Sequence, residues 1–254
     1  MCSDSEKNMS AFADQNHAPS LTCVRLEADN EPKKGEVIMG ISQMLMKLAE
    51  GMATSCWIFG ITLLFSLPLG MVIAFGRMSK KRIVQGITKI YISIMRGTPL
   101  MLQLMVVYFG PYYLFGIKIS PFYRNIAVVI GFVLNYAAYF AEIYRSGIES
   151  MPVGQYEAAE ILGYSKSQTF LHIILPQVIK RILPSVTNEV ITLVKDTSLA
   201  FVIAVSEMFT IAKALASSQT SMVPYVAAGI FYYVFNFLVA WIMEKIEKHL
   251  SYYR

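Results

Sequence analysis

Residues 157–176 read EAAEILGYSKSQTFLHIILP and form a polar stretch between hydrophobic runs long enough to cross a membrane. Ala158, Ala159 and Leu162 recur at helical spacing and predict a short helix with a narrow apolar stripe. Gly163 follows, and glycine is the residue that most readily ends a helix in a left-handed turn. The pattern therefore predicts a short helix that stops at a glycine, not a membrane span.

The second half of this stretch predicts another short helix. Ser165 and Gln168 have the spacing of a capping box, in which each side chain bonds to the backbone N–H of the other residue. Pro176 should limit this helix, because proline has no N–H and restricts the residue before it. We expect two short helices bent at Gly163. An amphipathic helix pair on the membrane surface is the alternative explanation of such a pattern.

Composition indicates a membrane protein. The chain has 254 residues, 55% of them hydrophobic, and a mean hydropathy of +0.49, which is too apolar for an ordinary soluble domain. The net charge of +5 reflects cations gathered beside hydrophobic runs, so it indicates membrane topology rather than a nucleic-acid partner. The three cysteines have no metal-ligand or disulfide spacing, and we expect no metal site.

Residues 1–38 are polar and show no hydrophobic periodicity. We expect them to be a disordered tail, followed by a membrane domain over residues 39–254. Because the hydrophobic sequence begins near Met39 and Met44, a second hypothesis is that translation starts at one of these methionines. The intact mass of the native protein distinguishes the two.

Five segments are apolar enough to span a bilayer core of about 30 Å. They are residues 56–75, 97–117, 124–144, 182–205 and 222–243. The loop between the first two is rich in lysine and arginine and has no acidic residue, which should hold it in the cytoplasm. Five spans then place the N-terminus outside the cell, and the C-terminus and residues 157–176 in the cytoplasm.

Two spans carry polar residues. In the third span Asn135, Tyr139 and Glu142 share one helical face, which should look into the protein. The fourth span is more unusual, since its polar residues include Asn188, Glu189, Thr192, Lys195 and Asp196. Each charge at mid-membrane costs roughly 2.5–3.5 kcal/mol. We therefore expect a substrate pocket there; the alternative is a pair between Lys195 and an acidic residue that only holds helices together.

From residue 44 onward the sequence resembles permease subunits of bacterial polar amino-acid ABC importers. The resemblance is carried by RGTPL at 96–100, NYAAY at 135–139, GQ at 154–155, the EAA…G…I-x-LP pattern at 157–176 and KDTSL at 195–199. It implies an all-α membrane protein with about five transmembrane helices, the type I ABC importer permease fold. Residues 157–176 resemble the cytoplasmic coupling-helix loop that docks on the ATPase subunit in this family.

The resemblance also implies partners and a mechanism. The subunit would pair with itself or with a sister permease, with two ABC ATPase subunits below and an extracytoplasmic amino-acid-binding protein above. The sequence has no G-x-x-x-x-G-K-[ST] motif, so ATP and Mg²⁺ should be held by the ATPase, and this chain is expected to be neither an enzyme nor a cofactor-binding protein. Transport would proceed by alternating access. The rival hypothesis is an ion-coupled secondary transporter, although the five spans show no matching inverted halves.

The resemblance implies two sets of functional residues. Those expected to bind substrate are Thr98, Gln103, Glu189, Thr192 and Asp196. Those expected to couple to the ATPase are Glu157, Ala158, Ala159 and Gly163. Two carboxylates on one helix suit an α-ammonium and a cationic side chain, so arginine, lysine, histidine or ornithine is the predicted substrate. If Lys195 neutralises Asp196, cystine and glutamine fit equally well.

Overall fold

The structure, a computed structural model, describes residues 34–250, with side chains from residue 40 onward. The described chain forms nine α-helices: α1 (Lys34–Arg77), α2 (Arg82–Gly97), α3 (Leu100–Phe115), α4 (Pro121–Glu149), α5 (Val153–Ile161), α6 (Lys166–Gln168), α7 (Leu175–Asp196), α8 (Met208–Gln219) and α9 (Val223–Leu250). A π-helical turn, Thr169–Ile174, joins α6 to α7, and a 3₁₀ segment, Thr197–Ile203, follows α7. Of the predicted disordered tail, residues 1–33 lie outside the described residues, while 34–38 are helical.

The described residues contain between three and five candidate membrane spans. Helices α1, α4 and α9 are each long and apolar enough to cross a membrane. The count reaches five if two bent pairs are each taken as one span. Helices α2 and α3 meet at 111°, and the helical stretch that contains α7 meets α8 at 59°. The predicted all-α fold is confirmed, and each bent pair has the form of a broken span or a re-entrant loop.

The sequence predicts a basic loop after the first span, and this prediction is wrong because most of the segment is helical. Helix α1 continues to Arg77, and only residues 78–81 separate it from α2. Isoleucines at 83, 87, 90 and 94 follow one another at helical spacing and lie exposed along α2, which is the pattern of an amphipathic helix. The density of lysine and arginine hid this periodicity in the sequence. The second span, predicted as residues 97–117, therefore includes a helix that begins at Arg82.

The predicted bend at Gly163 is confirmed. Gly163 has φ +80, and its N–H donates to the carbonyl of Glu160 while the N–H of Tyr164 donates to that of Ala159. These two bonds form a Schellman motif, which satisfies the last carbonyls of α5. The capping box is also confirmed, because Ser165 and Gln168 exchange the two predicted side-chain bonds.

Leu162, a member of the predicted apolar stripe, lies one residue beyond the end of α5 and is 74% exposed. One prediction for this stretch is wrong, because Pro176 does not end the second short helix. It lies in the first turn of α7, where a missing N–H is tolerated, and the preceding π turn carries the helical backbone through without a break. The helix that contains the predicted fourth span consequently begins before residue 182, with α7 starting at Leu175.

Helix α4 lies at the centre of the bundle. Phe132, Tyr136 and Phe140 are among the largest fully buried side chains and lie along it. Helices α2, α3 and α7 all pack against α4. At Gly131 an added Cβ would lie 2.6 Å from a methyl carbon of Leu104, so α3 approaches α4 closely at this glycine. The arrangement brings the polar faces of α4 and α7 together.

Candidate functional site

A cavity of about 290 Å³ opens between α2, α4 and α7. Its charged lining includes Arg96 and Glu189. The guanidinium carbon of Arg96 lies 5.3 Å from the centre of the Tyr139 ring, within cation–π distance. Glu189 is half-buried on the wall formed by α7. Charges of opposite sign therefore face the same space within the bundle.

The other charged groups of this cavity already have partners. Glu142 forms a salt bridge with Arg145, which also pairs with Glu149. Arg181 donates to the carbonyl of Ser150 at 2.8 Å. Within the described residues neither Arg96 nor Glu189 takes part in a salt bridge. Of the charged groups that line this cavity, the Arg96 guanidinium and the Glu189 carboxylate are the two that could bind a ligand. Such a pair suits a ligand with a carboxylate and an amine.

The bend between α2 and α3 is held by side-chain amides. Pro99 has no N–H, so the carbonyl of Met95 loses its usual helical donor. Gln103 and Asn135 replace that donor, with amide nitrogens 2.9 and 3.1 Å from the Met95 oxygen. Asn135 also donates to the side-chain oxygen of Gln103 at 2.9 Å. The polar backbone exposed by the break is thus satisfied inside the bundle.

Two residues predicted to bind substrate take part in this network. The Thr98 hydroxyl donates to the Ile94 carbonyl at 2.8 Å and accepts from the amide nitrogen of Gln103 at 2.7 Å. The same nitrogen lies 3.1 Å from the Thr98 carbonyl. Thr98 and Gln103 consequently fix the shape of the break in this conformation.

Asp196 and Thr192 lie further along α7 from Glu189. Asp196 accepts a hydrogen bond from the Tyr136 hydroxyl at 2.7 Å. Lys195 is exposed and forms no salt bridge within the described residues, so the alternative explanation, a Lys195 ion pair that only holds helices together, is not found there. Thr192 is exposed, and its hydroxyl donates to the Asn188 carbonyl of its own helix.

The four predicted coupling residues divide into exposed and buried members. Glu157, Ala158 and Gly163 are exposed on α5 and at its end. Ala159 is only 1% exposed, on the side of α5 that packs against the π turn. The first three therefore belong to the exposed surface of the loop, while the small side chain of Ala159 lets the loop pack closely onto its own chain.

The described residues define a class of protein, a helical membrane subunit with a polar cavity between α2, α4 and α7. The chain belongs to the family described as binding-protein-dependent transport system inner membrane components, whose sequence profile matches residues 66–252. It is a multi-pass membrane protein and an amino-acid ABC transport permease by its relatives.

Three curated relatives show how close the likeness is. The chain is 35% identical over 216 residues to a putative glutamine transport permease of Rickettsia bellii, covering 85% of this chain and 98% of the relative. It is 38% identical to an L-cystine transport permease of Bacillus subtilis, covering 83% and 90%. It is 37% identical to an arginine transport permease of the same organism, covering 80% and 92%.

Solved structures agree on the fold. The chain superimposes on a crystal structure of an amino acid ABC transporter with histidines at a TM-score of 0.76 and 28% identity, covering 83% of this chain and 97% of the other. An inward-facing methionine ABC transporter matches at a TM-score of 0.61 and 15% identity, covering 88% and 100%. The second likeness supports the type I importer fold alone.

Three residues of the site are not predicted from the sequence. Arg96 falls in the predicted basic loop, although it is the last cation before the bend at Pro99. Asn135 and Tyr136 fall in the predicted third span with no expected role in the site, yet Asn135 bonds the Met95 carbonyl at the bend and Tyr136 bonds Asp196. The i, i+4 spacing of Asn135 and Tyr139 on one face was the available signal.

Proposed function

We propose that this chain carries a polar amino acid across the membrane in an ATP-driven importer, with cationic amino acids as the leading class. The observation that carries the proposal is that Arg96 and Glu189 face one cavity beside a broken span. An α-carboxylate matches the guanidinium, and an α-ammonium matches the carboxylate. Transporters commonly place substrate sites at such discontinuous helices.

Asp196 supports a cationic side chain on the substrate. It lies seven residues after Glu189 on the same helix, or about 10 Å along the axis. An extended arginine or lysine side chain can reach across much of this distance. Thr192 lies between the two carboxylates on the exposed side of the helix, and Thr98 and Gln103 shape the adjoining break. These five residues, together with Arg96, are the proposed substrate-binding set.

A neutral polar amino acid is the second candidate. Tyr136 already donates to Asp196, so this carboxylate has a partner without a cationic ligand. Arg96 and Glu189 alone would then hold the α-groups of glutamine or cystine. The names of relatives include glutamine, cystine and arginine transport, which supports the amino-acid class more than any one member. The family favours the importer over an ion-coupled secondary transporter.

A second permease subunit is part of the proposed assembly. Helix α7 exposes a polar face at helical spacing, made of Arg181, Ser185, Asn188, Thr192 and Lys195. Such a face is unfavourable against lipid. Burial against another permease subunit, with a water-filled path between the two, removes this cost. The proposal covers both a homodimer and a pair with a sister chain.

Energy would enter from the cytoplasmic side. The exposed residues Glu157, Ala158 and Gly163 are proposed to contact an ABC ATPase, which holds ATP and Mg²⁺. An extracytoplasmic binding protein would deliver the amino acid, with the N-terminus of this chain outside and its C-terminus in the cytoplasm. Closure of the ATPase dimer would draw two docking loops together and switch the cavity between the two sides of the membrane.

The test is reconstitution of the permease with the ATPase encoded beside it and a binding protein, in lipid, against a panel of amino acids. We expect arginine or lysine to stimulate ATP hydrolysis and to be taken up, and Glu189→Gln to abolish both effects. Glu247→Gln, at a half-buried glutamate near the end of α9, is the matched control. Association with the ATPase but unchanged uptake in Glu189→Gln would discard the internal site; no association would discard the importer.

A further inference from the structure

The docking loop is fastened to α7 by side chains as well as by the connecting chain. The amide of Gln155 on α5 and the amide of Gln177 on α7 exchange two hydrogen bonds, at 2.9 and 2.8 Å. Gln177 also donates to the carbonyl of Ile173 at 2.8 Å. This reciprocal pair is partly buried, so each amide depends on the other for its polar partners.

Two further contacts fix the same segment of α7. Arg181, one turn after Gln177, donates to the carbonyl of Ser150 at the corner between α4 and α5. At Gly147 an added Cβ would lie 2.2 Å from a methyl carbon of Ile182, so the end of α4 is in close contact with α7. Helix α5, the end of α4 and the first half of α7 are therefore joined as one block.

The polypeptide chain joins α5 to α7 by a longer route than the Gln155–Gln177 hydrogen bonds do. It passes through Gly163, which has φ +80, and then through the π turn at Thr169–Ile174. Glycine adopts left-handed turns easily, and π-bulges are places where an otherwise continuous helix can kink. A movement of α5 would be absorbed along this route, whereas the amide pair bypasses it. Glu189 follows on α7, three turns beyond Gln177.

We propose that the Gln155–Gln177 pair transmits the movement of the docking loop to α7 and so to the cavity that contains Glu189. Gln155 and Gln177 are positioning residues in this proposal, since neither lines that cavity. The inference rests on the proposed importer function and adds the contact by which the ATPase acts on the transport site. Its signature is ATP hydrolysis that proceeds without amino-acid uptake.

The experiment compares uptake per ATP hydrolysed in liposomes holding the complete complex, with the amino acid selected from the panel above. The variants are Gln155→Met, Gln177→Met and the double variant, which remove the amide bonds at nearly constant volume. Each single variant should lower the ratio about fivefold or more, the lower end of usual coupling energies, with ATPase binding unchanged. The double variant should lose no more than either single one, because both residues act through one contact.

A rescue and a control separate coupling from folding. The Gln155→Glu/Gln177→Lys double variant replaces the amide pair with an ion pair and should restore much of the ratio. Gln85→Met, at an exposed glutamine of α2, should leave the ratio unchanged. An unchanged ratio in both single methionine variants overturns the inference, as does loss of ATPase binding, which would make the pair part of the docking surface. Absence of uptake by the wild-type complex overturns the proposed function and this inference with it.

Discussion

Gly163 shows how a single backbone conformation shapes the docking loop. It has φ +80 and no neighbouring atom within 4 Å of an added Cβ. Space therefore does not restrict this position; the left-handed conformation does. An L-residue in this conformation is strained by roughly 1–2 kcal/mol, and asparagine by less than most.

Gly163→Leu is expected to stop transport while the protein remains in the membrane. The leucine would pull the end of α5 out of its Schellman motif and displace the exposed residues beside it. The measurement is amino-acid uptake together with the amount of membrane-inserted protein.

Gly163→Asn is the matched control, because asparagine tolerates the left-handed conformation. It should retain most of the transport that leucine removes. Normal uptake by Gly163→Leu would show that the loop does not need this turn, and would count against its assignment as the docking element.

Between α2 and α3, Pro99 interrupts the helix, and two side-chain amides bond to the backbone carbonyl that the interruption frees. Pro99 leaves the Met95 carbonyl without its helical donor, and Gln103 and Asn135 supply two. The break is stable inside a membrane because the exposed backbone finds partners within the protein. The same break turns α2 so that Arg96 reaches the cavity wall opposite Glu189.

Asn135→Leu is expected to destabilise the protein by about 1–3 kcal/mol, because the side-chain oxygen of Gln103 loses its Asn135 donor and the Met95 carbonyl loses one of its two donors. Asn135 is 4% exposed, so water is a poor substitute. Thermal unfolding in detergent measures the change. Asn125→Leu, at an exposed position of the same helix, should have little effect, and equal melting temperatures for the two variants would contradict the role of Asn135 at the bend.

The second broken span uses a carboxylate in place of amides. Glu207 is fully buried and caps the start of α8, accepting from the N–H groups of Phe209 and Thr210 at 2.7 and 2.6 Å. An acidic group at a helix start is favourable because it meets unpaired N–H groups and the positive end of the helix. The Tyr232 hydroxyl, 3.2 Å away, ties this cap to α9.

Over the whole molecule, the exposed surface of the described residues is apolar on α9 and polar on one face of α7. Helix α9 is almost entirely apolar and exposed over its candidate span, as expected of a surface against lipid. The outer face of α7 is polar. A single subunit in a membrane would leave that polar face against lipid, so the structure is consistent with a subunit of a larger transporter.

A photo-reactive amino acid at Asn188 is expected to crosslink this chain to a second permease subunit. The same probe at Val226, on the exposed apolar side of α9, is the control and should crosslink mainly to lipid. The mass of the Asn188 product identifies the partner as a second copy or a sister chain. Crosslinking to lipid alone at Asn188 would contradict the proposed interface.

Local features of the chain were readable from sequence because short-range rules determine them. The turn at Gly163 and the Ser165–Gln168 capping box involve residues within five positions of each other. The fold class followed from hydrophobic length and composition. Helix α2 is not predicted, because its lysines and arginines are typical of a loop between spans. The predicted helix end at Pro176 is wrong, because a proline in the first turn of a helix does not disrupt it.

Only the tertiary structure decided which polar residues share a site. Arg96 and Glu189 are far apart in sequence, and no local pattern relates the two. Their approach depends on the 111° bend at Pro99 and on the packing of α2 and α7 against α4. The pattern of residues along the fourth span shows that it carries charges which need partners. The packing of the helices gives Asp196 its hydrogen bond from Tyr136 and places Glu189 in the wall of the cavity.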